Sequence, residues 1–275
     1  MGKLGKWRAH LTVDQTLRLW RFNSVFAHQS FNFTEGGLLC PGGHFISHPM
    51  VVGYKGEIGS FILGGLLRLM PKASNIWCVD INDTEKEVID RLRASNVIFL
   101  CVPIQHTIPW ISSFKEFLQD KVILEQCSLK EELFEDSVTK GLNIRSMHIL
   151  FRPSQTFNSE DRKLGLIRNQ NSPETVEALK EVTQSEVAWF EDVAEHDREM
   201  AVQQALTHRT VLILADLLRS CKGSTFISKR IVELADRIRK GDIGLYQKIQ
   251  ENRHLPEHLN RLRDKFESFN LIDLW

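Results

Sequence analysis

The segment that most narrows what this chain can fold into is Gly53-Tyr54-Lys55-Gly56-Glu57-Ile58-Gly59. It follows directly on the β-rich run Ile46 to Val52 and leads into a stretch of helical spacing, Phe61 to Met70. Glycines between a strand and a helix mark a turn where the backbone must bend tightly, approach a ligand, or let the helix pack on the sheet. The first turn of the helix then offers unpaired N–H groups and a positive dipole end, which suit a dinucleotide pyrophosphate. The spacing is G-x-x-G-x-x-G, with Tyr54 where the strict G-x-G-x-x-G fingerprint has its first glycine. A merely structural glycine turn is the competing reading. Asp80 weighs against it, because it ends the next β-rich run about twenty residues beyond Gly59, where an acidic side chain binds a ribose 2′-hydroxyl and repels a 2′-phosphate. Asp80 therefore favours NAD over NADP, although Lys55 or Asn82 could accommodate a phosphate. Val102 and Pro103 add a wall where such folds border the cofactor.

From His44 onward short β-rich runs alternate with helical stretches, the pattern of a parallel sheet with crossover helices. The predicted strands are Ile46 to Val52, Ile76 to Asp80, Val97 to Val102, Val122 to Gln126 and Ile144 to His148, with Gly165 to Arg168 and Glu186 to Phe190 extending the sheet. After Asp192 the strand signal stops. Helices are predicted over Val193 to Arg219, Ser224 to Lys240, Asp242 to Asn252 and Pro256 to Phe269. In the first of these Met200, Leu206, Leu212, Leu214 and Leu217 join Ala201, Ala205 and Ala215 to make more than one face apolar, as in a helix buried between others or in an intersubunit bundle. The expected fold is α/β: a Rossmann-type dinucleotide-binding domain over 46–191, then an all-α substrate and dimerisation domain over 192–275. Residues 1–45, with Trp/Phe-rich patches, Gly36-Gly37 and Pro41-Gly42-Gly43, read as an N-terminal extension of unclear structure.

With 275 residues, 42% of them apolar, the chain is long enough for one large or two modest domains with proper cores, which excludes disorder. Lys plus Arg and Asp plus Glu are both 35, so no basic excess marks a nucleic-acid or anionic-membrane binder, and any anion must be held by local charge. Cys40, Cys78, Cys101, Cys127 and Cys221 are scattered and form no C-x-x-C pair, which fits a reducing cytoplasm better than a disulfide framework. Asp14, Arg18 and Arg21 interrupt the start, so no secretory-signal core is read there, and the apolar runs Phe61 to Leu67 and Val97 to Ile104 are too short to span a bilayer. His44 with His48 and His254 with His258 lack H-E-x-x-H spacing, so no metal site is expected.

Beyond the glycine turn, several segments occur in the order seen in prephenate dehydrogenases. They are Cys101-Val102-Pro103-Ile104, Ser128-Leu129-Lys130, and Met147-His148-Ile149-Leu150-Phe151-Arg152-Pro153, followed by Glu195-His196-Asp197-Arg198-Glu199-Met200 through Gln204-Ala205-Leu206-Thr207-His208. The chain resembles that family over about residues 46 to 270, and Val193 to His208 looks like the helical-domain signature of its enterobacterial type. The resemblance implies an NAD-dependent oxidative decarboxylation of prephenate to 4-hydroxyphenylpyruvate, in tyrosine-type aromatic biosynthesis. It also implies a homodimer. Arogenate and 4-amino-4-deoxyprephenate are the alternative substrates, and a non-catalytic dinucleotide-binding regulatory dimer is the alternative of another class.

His148, at the end of a strand where open α/β sheets bind ligands, is the candidate base that relieves the substrate C4 hydroxyl of its proton. The usual context is H-P-M-F-G-P, so the loop after His148 departs from the family pattern. By resemblance Ser128 contacts substrate hydroxyl and cofactor; a helix cap is its structural alternative. His208, one turn from Gln204, matches a substrate-side histidine. Where the family clamps a carboxylate with arginine, counting back from Tyr246 reaches Lys229, with Arg230 adjacent and Arg152 able to compensate.

Overall fold

The computed structural model describes residues 48–70, 76–154 and 162–268. The expected N-terminal extension, and Ile46 and Ser47 of the first predicted strand, lie outside them. Seven strands form one sheet: β1 (Pro49–Val52), β2 (Trp77–Val79), β3 (Val97–Leu100), β4 (Val122–Glu125), β5 (Asn143–Ile149), β6 (Lys163–Ile167) and β7 (Glu186–Phe190). Their order is β2-β1-β3-β4-β5-β6-β7. The first five pair in parallel, and every residue of β1 and β3 is buried, as the continuous apolar runs Pro49–Val52 and Val97–Leu100 require of strands covered on both faces.

β6, one of the two runs expected to extend the parallel sheet, runs antiparallel to β5, with His148 opposite Gly165. A parallel return needs a crossover, usually a helix. The link from β5 to β6 carries none among its described residues.

Helices α1 (Glu57–Leu69), α2 (Glu85–Ala94), α3 (Ile104–Phe114), α4 (Glu131–Glu135) and α5 (Pro173–Thr183) connect the strands. Their ends follow local chemistry: Thr84 and Glu87 form a capping box on α2, and Ser172 caps α5 ahead of Pro173. The core joins Val51, Phe99, Leu124, Met147 and Leu166 of the sheet to Phe61, Ile62 and Leu66 of α1 and Leu179 and Val182 of α5.

Past Asp192, which caps the next helix through the Glu195 amide, the chain is helical: α6 (Val193–Met200), a π-helical turn (Ala201–Leu206), α7 (Thr207–Arg219), α8 (Phe226–Lys240), α9 (Ile243–Gln250) and α10 (Leu255–Glu267). The predicted helix Val193 to Arg219 is thus interrupted by a wider turn. Side chains from further along bond carbonyls before and within it, Asn252 donating to Asp197 O (2.7 Å) in α6 and Gln250 to Ala205 O (2.9 Å) in the turn.

The chain divides into two compact units, and the division is not a single cut. Among the described residues, segments Pro103–Ile108 and Cys127–Asp136, which follow β3 and β4, group with 190–268 in a helical unit, and the other described residues form the sheet unit. In the helical unit Ala205, Ile249 and Leu255 form a small core with Leu206, Leu245, Tyr246 and Leu259 packed on it. The second apolar face of α7 is not buried within the chain: Leu217 is 63% exposed and Ile213 57%, and Phe226 and Ile227 of α8 are likewise exposed. Among the described residues no helix is long and apolar enough to cross a membrane.

Candidate functional site

In the sheet unit the glycine turn sits where the strand order reverses, since β1 lies between β2 and β3, and open α/β sheets bind ligands at that crevice. Gly53 leaves β1 at φ +79° and donates to Val79 O at 2.8 Å, and a Cβ there would come within 2.5 Å of Cys101 O. A Cβ on Gly59 would lie 2.1 Å from Gly53 O, so α1 can start against the turn only if that position is glycine. Gly56 is the N-cap of α1 and gives it no side-chain cap, unlike the Thr, Ser and Asp caps of α2, α5 and α6. The first-turn amides of α1 therefore stay available to an anion.

Asp80, just past β2, is locked to this turn. Its carboxylate accepts from Lys55 N (3.0 Å) and from Ile81 N (2.9 Å), while Asp83 accepts from Asp80 N (2.7 Å) and is itself held by Arg91 at 2.8 Å. Tyr54, in the position of the missing glycine, lies beneath the Lys55 ammonium, 5.4 Å from ring centroid to Nζ. Ile58 packs against the core.

His148, one residue before the end of β5, is 5% exposed. The loop that follows is pinned onto α1: Phe151 meets Phe61 edge to face at 5.5 Å, Arg152 Nε pairs with Glu57 at 3.2 Å, and Ser154 N donates to Glu57 at 3.0 Å. Burial works to raise the Glu57 carboxyl, but the Ser154 hydrogen bonds and the Arg152 charge outweigh it and hold it below the usual range. These anchors fix the loop in place without a proline or glycine after His148 up to Arg152. They also engage Arg152, expected at the substrate, with Glu57, expected at the cofactor.

In the helical unit Ser128 lies in the connection to α4. The N-cap of α4 is Lys130, and its cap comes from Asp197 rather than from Ser128. The Asp197 carboxylate accepts from Lys130 N through both oxygens (3.0 and 2.9 Å) and from Glu131 N (2.9 Å), while Lys130 Nζ donates to Cys127 O at 3.0 Å. Ser128 is thereby held between two fixed backbone points. His196 Nδ1 meets Asp197 Oδ1 at 2.8 Å, and Glu131 meets His254 Nε2 at 2.7 Å. This network was not anticipated from the sequence. Its signal was helical periodicity: Asp197 is one turn before the buried Ala201 and two before Ala205, so it shares their inward face.

Burial keeps His196 neutral and depresses its pKa, with the Lys130 charge acting the same way, and burial lowers His208 too. A histidine whose folded pKa is below the unfolded value of about 6.5 binds its proton only on unfolding, so stability falls as the pH drops below 6.5, by at most about 1.4 kcal/mol per pH unit per group. Asp197, raised by burial, acts with the opposite sign. Urea midpoints taken from pH 7.5 to pH 5.5 should therefore decline, and the decline should be shallower in His196→Asn; parallel curves would refute the assignment.

Gln204 lies in the π-helical turn and His208 in the first turn of α7, its ring edge to face with Tyr246 at 5.1 Å. Lys229 and Arg230 lie in the first turn of α8 and are exposed; Arg230 pairs with Glu233 at 3.0 Å and stacks near Phe226. The structure thus gathers the glycine turn with Asp80, Glu57 with Arg152, and Gln204 with His208. Lys229 lines a surface cleft with Arg219, Lys222 and Ser224.

No family model and no curated protein matches the sequence. Among solved structures, arogenate dehydrogenase of Synechocystis is similar at 20% identity and TM-score 0.54, over 80% of this chain and 90% of that one. A Corynebacterium glutamicum chain assigned to prephenate dehydrogenase is similar at 16% identity and TM-score 0.62, over 82% of this chain and 81% of that one. At these identities the likeness is one of fold: a Rossmann-type sheet followed by a helical C-terminal region.

Proposed function

We propose that this chain is an NAD-dependent dehydrogenase that oxidatively decarboxylates a cyclohexadienyl acid, prephenate or a close amino relative. The observation that carries this reading is the combination, within one sheet unit, of a dinucleotide cradle and a buried histidine near the end of β5. The cradle fits the cofactor: the uncapped α1 amides suit a pyrophosphate, Gly59 admits no side chain, and the Asp80 carboxylate has lone pairs left for a ribose hydroxyl. Val102 and Pro103 follow β3 at the same switch point.

A bound nicotinamide dinucleotide supplies the acceptor for the hydride that leaves ring C4. The chain's residues manage the rest. For a substrate with a C4 hydroxyl, prephenate or arogenate, His148 takes the hydroxyl proton as the C4–H bond breaks. The C1–carboxylate bond then breaks, carbon dioxide leaves, its electron pair enters the ring, and the imidazolium returns the proton to the phenolate oxygen. Aromatisation drives the step, so the protein chiefly aligns and binds. Ser128 hydrogen-bonds the ring hydroxyl, and Gln204 and His208 contact the substrate. Of the three candidate carboxylate cations, Arg152 and Arg230 are paired with Glu57 and Glu233, which leaves Lys229 to that role as a mobile point charge. The exposed apolar residues of α7 and α8 suit a second copy of the chain, and the protein works as a cytoplasmic homodimer.

Formation of reduced nicotinamide by the purified chain tests the proposal, with prephenate, arogenate and 4-amino-4-deoxyprephenate each offered with NAD and NADP. Turnover of one of them, faster with NAD because Asp80 repels a 2′-phosphate, is the expected result. Silence on all three from a folded, NAD-binding protein would refute it and favour a non-catalytic dimer.

A further inference from the structure

Buried polar groups are almost always hydrogen-bonded, and a side chain that is not raises the question of what pairs with it. In the sheet unit Gln126 has both of its side-chain polar atoms, Nε2 and Oε1, buried without a partner. It follows β4 directly, at the carboxyl end of a parallel strand, where open α/β sheets bind ligands. Among the described residues of that unit Asn171 is the other amide with both atoms open, and it follows β6, the strand that runs the opposite way.

Register fixes where the Gln126 amide lies. Leu100 of β3 and Ser146 of β5 flank Glu125 of β4, so the next residue, Gln126, stands beside Cys101 and Met147. Side chains alternate along a strand, which puts Gln126 on the face of Leu124, the face covered by α1. Cys101 N donates to Val52 O at 2.9 Å, and Cys101 O is 2.5 Å from the point a Cβ would occupy on Gly53. Gln126 is thus two strand spacings, about 10 Å along the sheet, from the glycine turn. In the order β1-β3-β4-β5 the phosphate cradle is at one end, His148 is at the other, and Gln126 lies between them. A hydride acceptor held by its pyrophosphate at the cradle, and reacting with a substrate at His148, has its ring over β4.

The two open atoms select the group they receive. A phosphate or carboxylate offers acceptors alone and leaves Oε1 unpaired, whereas an ammonium offers donors alone and leaves Nε2 unpaired. A primary carboxamide presents one acceptor and one donor side by side, and two such amides pair through two parallel N–H···O bonds. The nicotinamide ring bears that group next to its reactive C4.

We infer that Gln126 is a cofactor-binding residue whose side-chain amide pairs with the nicotinamide carboxamide and fixes which way the ring lies. The inference rests on the dinucleotide reading above and adds to it the residue that holds the ring, separate from those that hold the phosphates. A ring held at its carboxamide keeps C4 in one orientation towards the substrate, as hydride transfer requires.

The test is calorimetric binding of NAD, acetylpyridine adenine dinucleotide and ADP-ribose to the full chain and to its Gln126→Leu variant. The second ligand has a methyl in place of the amide NH₂; the third lacks the ring and reports on the cradle alone. The unaltered chain should bind NAD at least about tenfold tighter than the acetylpyridine analogue, because a site built for a hydrogen-bonding group rejects the analogue that lacks it. Gln126→Leu should bring that ratio towards one and leave ADP-ribose affinity within about twofold, without lowering the thermal midpoint, since an unpaired buried amide gives way to an apolar group. Gln126→Met, which keeps the length of the side chain, should give the same result and serves where leucine unsettles the strand. A ratio unmoved in both variants, or an analogue bound as tightly as NAD by the unaltered chain, would overturn the inference and leave the dinucleotide reading standing. Loss of ADP-ribose together with NAD in the variants would also overturn it, because Gln126 would then act through the cradle. Failure of all three ligands to bind the unaltered chain would overturn both.

Discussion

Replacing His148 by asparagine is expected to lower turnover by roughly 10²- to 10⁴-fold, the range general-base catalysis supplies, while NAD affinity stays essentially unchanged. The separation follows from position. His148 is on β5, whereas the cradle is built from β1, α1 and the tip of β2, so its groups do not depend on the imidazole. Asparagine keeps a hydrogen-bonding side chain of similar reach in a position only 5% exposed, and cannot take up the proton. A base role predicts a fall in kcat with little change in KM, and a loss of the acid limb of the pH–rate profile. If the variant, shown by thermal unfolding to be intact, retained turnover within about threefold, His148 would not be the base.

Asp197→Ala should have the largest effect on the fold. The carboxylate is 3% exposed and accepts from the amides of Lys130 and Glu131 as well as facing His196. Its removal strands those donors where no water replaces it, a loss of roughly 3–5 kcal/mol for a buried charge network deprived of one member. For a chain of this size that corresponds to about 10 °C in thermal midpoint. Asp197→Asn should fall between, since its amide carbonyl still accepts and its NH₂ faces a donor. If Asp197 positions Ser128, Asp197→Asn and Ser128→Ala should also be non-additive in kcat. A midpoint drop below about 3 °C in the alanine variant would mean that the network is not holding the loop.

Much of the architecture was legible because it is written in short-range signals. Each predicted strand is present, and the helix ends at Thr84, Ser172, Asp192, Thr225 and Asp242 coincide with side-chain caps, which depend only on neighbours three residues away. The glycine turn was legible for the same reason. The antiparallel turn of β6 was not, because strand direction depends on what the connecting chain can span rather than on the strand's own residues. The π-helical turn was not legible: nothing in Ala201–Leu206 itself signals it, and the Gln250 side chain that bonds its Ala205 carbonyl lies forty-five residues further along.

The candidate site divides in the same way. From sequence came the residue types and their order: glycines with Asp80, then Ser128, then His148, then Gln204 with His208. Pairing was decided only in three dimensions. Arg152 reads as a spare cation until Glu57, 95 residues away, is seen to hold it. For Ser128 the helix cap, its structural alternative, falls away once Asp197 is found supplying that cap from 66 and 67 residues away. The physical reason is one of range. Propensity, capping and periodicity act within a few residues, so the sequence by itself determined the elements and the cradle; which charges are neutralised and which acceptors stay open depends on distant segments, and only the tertiary structure decided that.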